Sequence, residues 1–329
     1  MKPYHIPLRL TRLRKNAMVR TLVRETRLHP TQFIAPLFIS ECLTNKREIP
    51  SMPGQYQLSL DCLHEEINAI SQLGLPGVLL FGIPKHKDAI GSESFNDNGI
   101  VQQAIRTIKS INKDLIVISD LCFCEYTDHG HCGILNGENL NTDATLELLA
   151  KQAVSHAKAG ADWVAPSGMI DGMVSAIREA LDQEGFQETP ILSYSAKYCS
   201  CLYGPFREAA EGAPKFGDRK SYQMDPANSN EALREAALDV EEGADMIMVK
   251  PAGFYLDILY KLKQHFPEVP LCAYQVSGEY SMIKYAAKQQ LINEQQAMME
   301  SLLAIKRSGA DFIITYFAKD MARLLNSLS

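Results

Sequence analysis

Short apolar runs recur along the chain, and most are separated by stretches whose apolar positions follow a helical spacing. The runs cover 33–39 (Phe-Ile-Ala-Pro-Leu-Phe-Ile), 77–82, 115–119, 163–166, 190–195, 246–250, 270–276 and 312–316. A strand that is apolar on both faces needs cover on both, which is the position of a strand in a parallel sheet flanked by helices. Eight strand–helix units favour a closed (β/α)8 TIM barrel over an open doubly wound sheet. No Gly-x-Gly-x-x-Gly turn follows any run, which weakens the dinucleotide-binding alternative.

A weak repeat punctuates the pattern. Gly160-Ala-Asp162, Gly243-Ala-Asp245 and Gly309-Ala-Asp311 each stand between a helical stretch and an apolar run. Glycine is the least costly left-handed residue at a helix C-terminus, so each marks a helix end. The spacing predicts a helix over 143–159 with Thr142 as N-cap. Asn228 with Glu231, and Asn293 with Gln296, predict capping boxes for two later helices. Residues 198–227 have no clean period and are rich in Gly, Pro, aromatic and basic side chains. A loop that long in a compact domain predicts an active-site lid.

A length of 329 residues suits a single barrel, and 46% hydrophobic with 22% charged residues is a globular composition. No run is long enough to span a membrane. Residues 1–30 carry eight Lys/Arg against one acid, leaving a net −13 over 31–329, which argues against a nucleic-acid-binding body. The basic segment lacks serine and an apolar core, so it reads as an extended N-terminal arm (1–30) ahead of the barrel (31–329), not a transit or signal peptide. Eight cysteines in a chain of this size without an export signal are expected as thiols in a reducing cytoplasm.

In a barrel the C-terminal strand ends face the active site. Here those ends supply Asp120, Cys122, Ser167, Asp171, Lys197, Lys250, Ser277 and Tyr316. Two lysines on consecutive strand ends depress each other's pKa, so that one can attack a ketone as a free amine and form a Schiff base. They could instead bind a carboxylate or phosphate. Cys122 and Cys124 point the same way in an extended segment, and Gly130 lets the chain return Cys132 to them. Soft thiolates select zinc. Three ligands suit an open catalytic site, while His129 or His131 as a fourth would make a closed structural one; unligated buried thiols are the remaining alternative. Cys199 and Cys201, without a third partner, read as small lid residues. Arg207, Arg219 and Lys220 in the lid suit capture of an anion, or else form a solvated face.

Taken in order, several stretches resemble the porphobilinogen synthase (5-aminolevulinate dehydratase) family. They are Arg9-Leu-Thr-Arg-Leu-Arg-Lys-Asn16, Leu22-Val-Arg-Glu-Thr26, Asp120 to Gly133, Ala165-Pro-Ser-Gly-Met-Ile-Asp-Gly172 and Ser193-Tyr-Ser-Ala-Lys197. Tyr203-Gly-Pro-Phe-Arg207, Gly217-Asp-Arg219, Met248-Val-Lys-Pro251, Gln275-Val-Ser-Gly-Glu279 and Thr315-Tyr316 continue the series. The resemblance implies condensation of two 5-aminolevulinate molecules to porphobilinogen in tetrapyrrole (haem) biosynthesis, by a homo-octamer whose arms embrace neighbouring subunits. It implies a Schiff base on Lys250, a second substrate engaged by Lys197, and catalytic zinc on Cys122, Cys124 and Cys132. Arg207, Arg219 and Gln223 would hold one carboxylate, Ser277 and Tyr316 the other, with Tyr203 also at the substrate. Asp120, Ser167 and Asp171 would orient groups and assist proton transfer. Some members bind an allosteric magnesium through a glutamate matching Glu235; several of those carry arginine where this chain has Met173.

Two other readings compete. A Schiff-base aldolase-like barrel with structural zinc predicts a glycine-rich phosphate loop after the seventh or eighth strand. Those ends read Gln275-Val-Ser-Gly and Thr315-Tyr-Phe-Ala, which suit a carboxylate better. A non-enzymatic zinc-binding scaffold leaves the two lysines unexplained.

Overall fold

The computed structural model describes residues 6–328. Each apolar run contains a strand: β1 (Phe33–Ser40), β2 (Gly77–Ile83), β3 (Ile116–Leu121), β4 (Trp163–Pro166), β5 (Leu192–Lys197), β6 (Met246–Lys250), β7 (Leu271–Gln275) and β8 (Phe312–Thr315). They pair in parallel in the order β4-β3-β2-β1-β8-β7-β6-β5. A bridge between Val164 and Ile191 sets β4 against β5 and closes the ring. Helices cross between the strands, with two (Ser277–Lys288 and Glu294–Arg307) between β7 and β8. The fold is therefore the (β/α)8 barrel expected from the alternation.

The repeat acquires a physical reason. Gly160, Gly243 and Gly309 all have left-handed φ, between 102° and 119°. The aspartate that follows each one reaches across to the start of the preceding strand. Asp162 accepts the Val117 N–H at 2.7 Å, and Asp245 and Asp311 accept those of Ile191 and Leu271 at 2.8 Å. These carboxylates replace ladder partners that the first residues of a strand lack, and Lys109 and Lys263 pair with two of them. All this lies at the N-terminal face, away from the mouth.

Two expected caps move. The helix Thr142–Ala159 is capped by Asn141, whose side chain accepts the Ala144 N–H, so Thr142 is already inside the first turn. Asn228 bonds the Glu231 side chain, but the residue before helix Glu231–Glu241 is Asn230, which caps nothing with its side chain. Asn293 does cap Glu294–Arg307. The stretch 198–227 is not wholly irregular: a 3-10 turn (Cys201–Tyr203) runs into a short helix (Gly204–Ala209), with Pro205 in its first turn.

One irregularity positions the chemistry. Ile247 pairs with Ser193 and Val249 with Ala196, so β5 carries an extra residue against β6. Ser193 faces outward, its hydroxyl donating to Asp239 at 2.7 Å on the covering helix. Strict alternation would send Lys197 outward with it. The extra residue reverses the phase, leaving Tyr194 and Lys197 both inside, with Lys197 paired directly beside Lys250.

The arm contrasts with the barrel. The turns Leu10–Arg14 and Ala17–Leu22 contain no buried residue, and Leu8, Leu10, Leu13, Met18 and Leu22 are each more than half exposed.

Candidate active site

Lys250 ends β6 with its Nζ buried in an aromatic box. The ring centroids of Tyr274, Tyr194, Phe206 and Tyr203 lie 4.3, 5.0, 5.1 and 5.6 Å away. Aromatic faces attract a cation but replace little of the hydration that it loses. Burial first, then the charge of Lys197, pull the Lys250 amine down to about 7, against the opposing pull of Asp120. Lys197, also buried, donates from Nζ to the Ser167 carbonyl. Ser167 Oγ donates to Asp120 Oδ2 at 3.0 Å, while Asp120 Oδ1 is buried without a partner. Burial and then the Glu125 carboxylate push Asp120 up to about 7 against the two lysines. Two amines, a carboxyl and a hydroxyl thus share one buried mouth, and the proton affinities of Lys250 and Asp120 are drawn towards neutrality.

Beside them the Cys122, Cys124 and Cys132 sulfurs lie within 4.8 Å of one another, all buried. Cys122 and Cys124 are 3.3 Å apart. Three converging soft donors fit a metal ion. Neither histidine closes the set. His131 turns Nδ1 to the Tyr222 hydroxyl and Nε2 to the Phe216 carbonyl, while His129 faces the Ala89 carbonyl and the His131 N–H. Glu125 Oε2 accepts from the Cys124 thiol at 3.2 Å. Among the described residues, then, the cluster that could hold a metal ion consists of three sulfurs.

The stretch 198–227 brings further groups to the mouth. Arg219 is buried; its Nη2 donates to the Gly130 and Gly212 carbonyls at 2.9 and 2.7 Å, but its Nε has no partner. Arg207 Nε and both amide atoms of Gln223 are likewise buried and unpaired. Donors left unsatisfied in a buried setting are costly unless a ligand completes them. Across the mouth the Tyr316 hydroxyl shares a 3.1 Å hydrogen bond with that of Tyr274. Ser277 Oγ accepts the Phe206 N–H at 2.9 Å and so also caps the lid helix. Tyr203 donates to the carbonyls of Tyr198 and Lys250.

Asp171 stands outside this group. The turn through Met169 and Gly172, both at positive φ, carries it to an exposed position. There it lines a cavity of about 460 Å³ with Glu231 and Glu235. Burial, then Asp239 and Asp171, raise Glu235 to about 7. Cys199 and Cys201 line a separate cavity at the lid edge, next to Gln223. Sequence reasoning missed Tyr194, Tyr274, Phe206 and Glu125, because an aromatic residue on an apolar strand reads as core, and one more aromatic or acid in a loop carries no signal of its own.

A closed barrel with paired buried lysines beside a thiol cluster at its C-terminal mouth is the architecture of a barrel enzyme. The family model described as "Delta-aminolevulinic acid dehydratase" matches residues 8–324. The delta-aminolevulinic acid dehydratase of Halalkalibacterium halodurans is 55% identical over 315 residues, covering 96% of each chain. That of Bacillus subtilis is 54% identical over 314 residues, covering 95% of this chain and 97% of its own. A crystal structure of delta-aminolevulinic acid dehydratase (porphobilinogen synthase) from Toxoplasma gondii, in complex with the reaction product porphobilinogen, superposes with a TM-score of 0.94 at 43% identity. That match covers 97% of this chain and 92% of the other. The chain belongs to the delta-aminolevulinic acid dehydratase family, and it is a lyase of the porphobilinogen synthase type. Among the described residues, no helix is long and apolar enough to cross a membrane.

Proposed function

We propose that this site condenses two molecules of 5-aminolevulinate to porphobilinogen with loss of water, through Schiff-base chemistry at Lys250 and Lys197 and a zinc ion on Cys122, Cys124 and Cys132. The observation that carries the reading is the direct pairing of two buried lysines on adjacent strand ends, one of them in an aromatic box. An amine with a pKa of about 7 is substantially unprotonated at neutral pH. Lys250 then adds to the ketone carbon of one substrate, and water leaves as the imine forms. The aromatic wall keeps bulk water off that imine. Lys197 engages the second substrate. Asp120 and Ser167, already hydrogen-bonded to each other, orient the reacting groups and move protons.

The unpaired N–H groups of Arg207, Arg219 and Gln223 suit one substrate carboxylate, in a fork geometry for which arginine is well shaped. Ser277 and Tyr316, backed by Tyr203, suit the other. When bound, zinc would supply Lewis acidity beside the second substrate. In the same reading the haem-pathway enzyme works in the cytoplasm as a homo-octamer joined through the arm 1–30, with 198–227 as lid. Glu235 is the magnesium candidate, and its acidic neighbours Asp171 and Glu231 support that role. Asp171 fits it better than proton transfer at the lysines.

Borohydride reduction in the presence of 5-aminolevulinate, followed by peptide mass mapping, tests the mechanism. The expected result is a covalent adduct on Lys250; no adduct on any residue overturns it. Exhaustive chelation separately tests the metal: porphobilinogen production that survives complete zinc removal excludes a catalytic zinc.

A further inference from the structure

Beyond Lys250 the chain leaves β6 through Pro251 and Ala252 and opens a 3-10 turn at Gly253, where the first N–H groups have no partner within the turn and need acceptors. They find them on the next unit. Glu279 Oε1 accepts from Gly253 N at 2.6 Å, and Oε2 accepts from Ala252 N at 3.3 Å. Oε2 also accepts from Val276 N at 2.7 Å, closing the capping box of helix Ser277–Lys288. An ordinary capping box needs one oxygen for its own helix. Here the second oxygen crosses to the neighbouring strand exit, and the carboxylate is held by backbone N–H groups of both units.

The surroundings are built to this contact. A Cβ on Gly253 would sit 2.5 Å from Glu279 Oε1, so the backbone approaches as closely as only glycine allows. A Cβ on Gly278 would sit 2.5 Å from the Leu202 carbonyl oxygen and 2.7 Å from Leu202 Cα. The same helix start therefore rests on the lid turn that carries Tyr203, one wall of the Lys250 box. Glu279 itself is only 6% exposed. Burial raises its carboxyl to about 7, against the three N–H bonds that hold the ionised form.

We propose that Glu279 is a positioning residue, a carboxylate strap that fixes the exit of β6, bearing Lys250, to the exit of β7, bearing Ser277. It sets the separation between the amine and one carboxylate-binding position. This rests on the roles given above to Lys250 and Ser277. In Glu279→Gln only one oxygen remains to accept, and the amide NH2 meets a backbone N–H. A misplacement of about 1 Å can cost on the order of 100-fold in rate.

The test compares wild type, Glu279→Gln and Glu279→Asp in the intact enzyme, reading kcat, KM and the rate of borohydride trapping on Lys250 by 5-aminolevulinate. Glu279→Gln is expected to lower kcat by tenfold or more, raise KM and slow trapping, with Glu279→Asp recovering part of each. A role in stability alone would lower Tm and the active fraction while leaving KM and the trapping rate per folded site unchanged, and that result overturns the strap. If Glu279→Gln does not fold, Gly253→Ala decides, because it pushes the backbone from an intact Glu279. The same kinetic signature supports the strap, and wild-type values in Gly253→Ala refute it. Failure of wild type to trap at Lys250 would instead refute the Schiff-base assignment, while an altered KM in the variants would still register the strap.

Discussion

Burying the Lys250 amine works against the stability of the fold. Its amine has a pKa of about 7 in the native protein against 10.5 when unconstrained. Between those values the folded state holds fewer protons than the unfolded one, so its contribution to stability rises with pH across the window and is lost as pH falls through 7. Replacing the amine by an apolar side chain of similar reach removes that penalty. Lys250→Met is therefore expected to raise Tm at pH 7, by a gain on the order of a few kcal/mol, while abolishing the Schiff-base adduct. Thermal unfolding at pH 7 and pH 9.5 checks the sign: the advantage should shrink at the higher pH. An equal or lower Tm at pH 7 would mean that the aromatic box does not disfavour the charged amine. The residue can be singled out in the sequence as a lysine closing an apolar run at a barrel strand end, with carboxylate or phosphate binding as the alternative to Schiff-base chemistry. Its box could not, since Tyr194, Phe206 and Tyr274 come from two strands and a lid helix that only the closed barrel brings together.

At the scale of elements, the cysteine loop is tied to the stretch 211–223 by several hydrogen bonds. Arg219 Nη2 donates to the Gly130 carbonyl, Lys215 N to the His129 carbonyl at 3.0 Å, and His131 meets both Phe216 and Tyr222. Gly130, at φ +74°, leaves room for the lid backbone: a Cβ there would stand 2.3 Å from the Ala213 carbonyl oxygen. Removing a metal from Cys122, Cys124 and Cys132 should therefore loosen the lid as well as the loop. Hydrogen exchange after chelation is expected to rise across 211–223 and 122–133 and to stay unchanged in the helix Glu294–Arg307. Exchange confined to 122–133 would separate the two. The barrel strands are legible because they are apolar on both faces. The connection between this stretch and the loop is not legible, since most of it runs to backbone carbonyls that carry no side-chain signature. The same is true of the extra residue in β5: alternation along Ser193-Tyr-Ser-Ala-Lys197 points the wrong way, and only the pairing with β6 reveals the reversal. Asp171 differs in another way: it follows a strand end, but a turn with two residues at positive φ leaves it exposed.

For the whole molecule, the barrel completes its own core while the arm does not. Residues 33–40 are buried throughout β1, whereas Leu8, Leu10, Leu13, Met18 and Leu22 expose more than half of their surface each. Burying one such side chain is worth about 1.5–3 kcal/mol, so five of them left in water form a strong incentive for association. The arm is basic and the body net acidic, so an encounter between copies would have a favourable field. Charge reversal of the apolar positions separates the two contributions. A variant with Leu10→Asp, Leu13→Asp and Met18→Asp is expected to form smaller assemblies than wild type in sedimentation velocity at matched concentration. Its circular dichroism should be unchanged, because none of the three side chains belongs to the barrel core. Raising the salt concentration on wild type should slow assembly without dissolving it, since screening acts on the charges and not on the apolar contact. A variant that sediments with wild type would show that the arm is a solvated extension and that subunits meet elsewhere on the barrel.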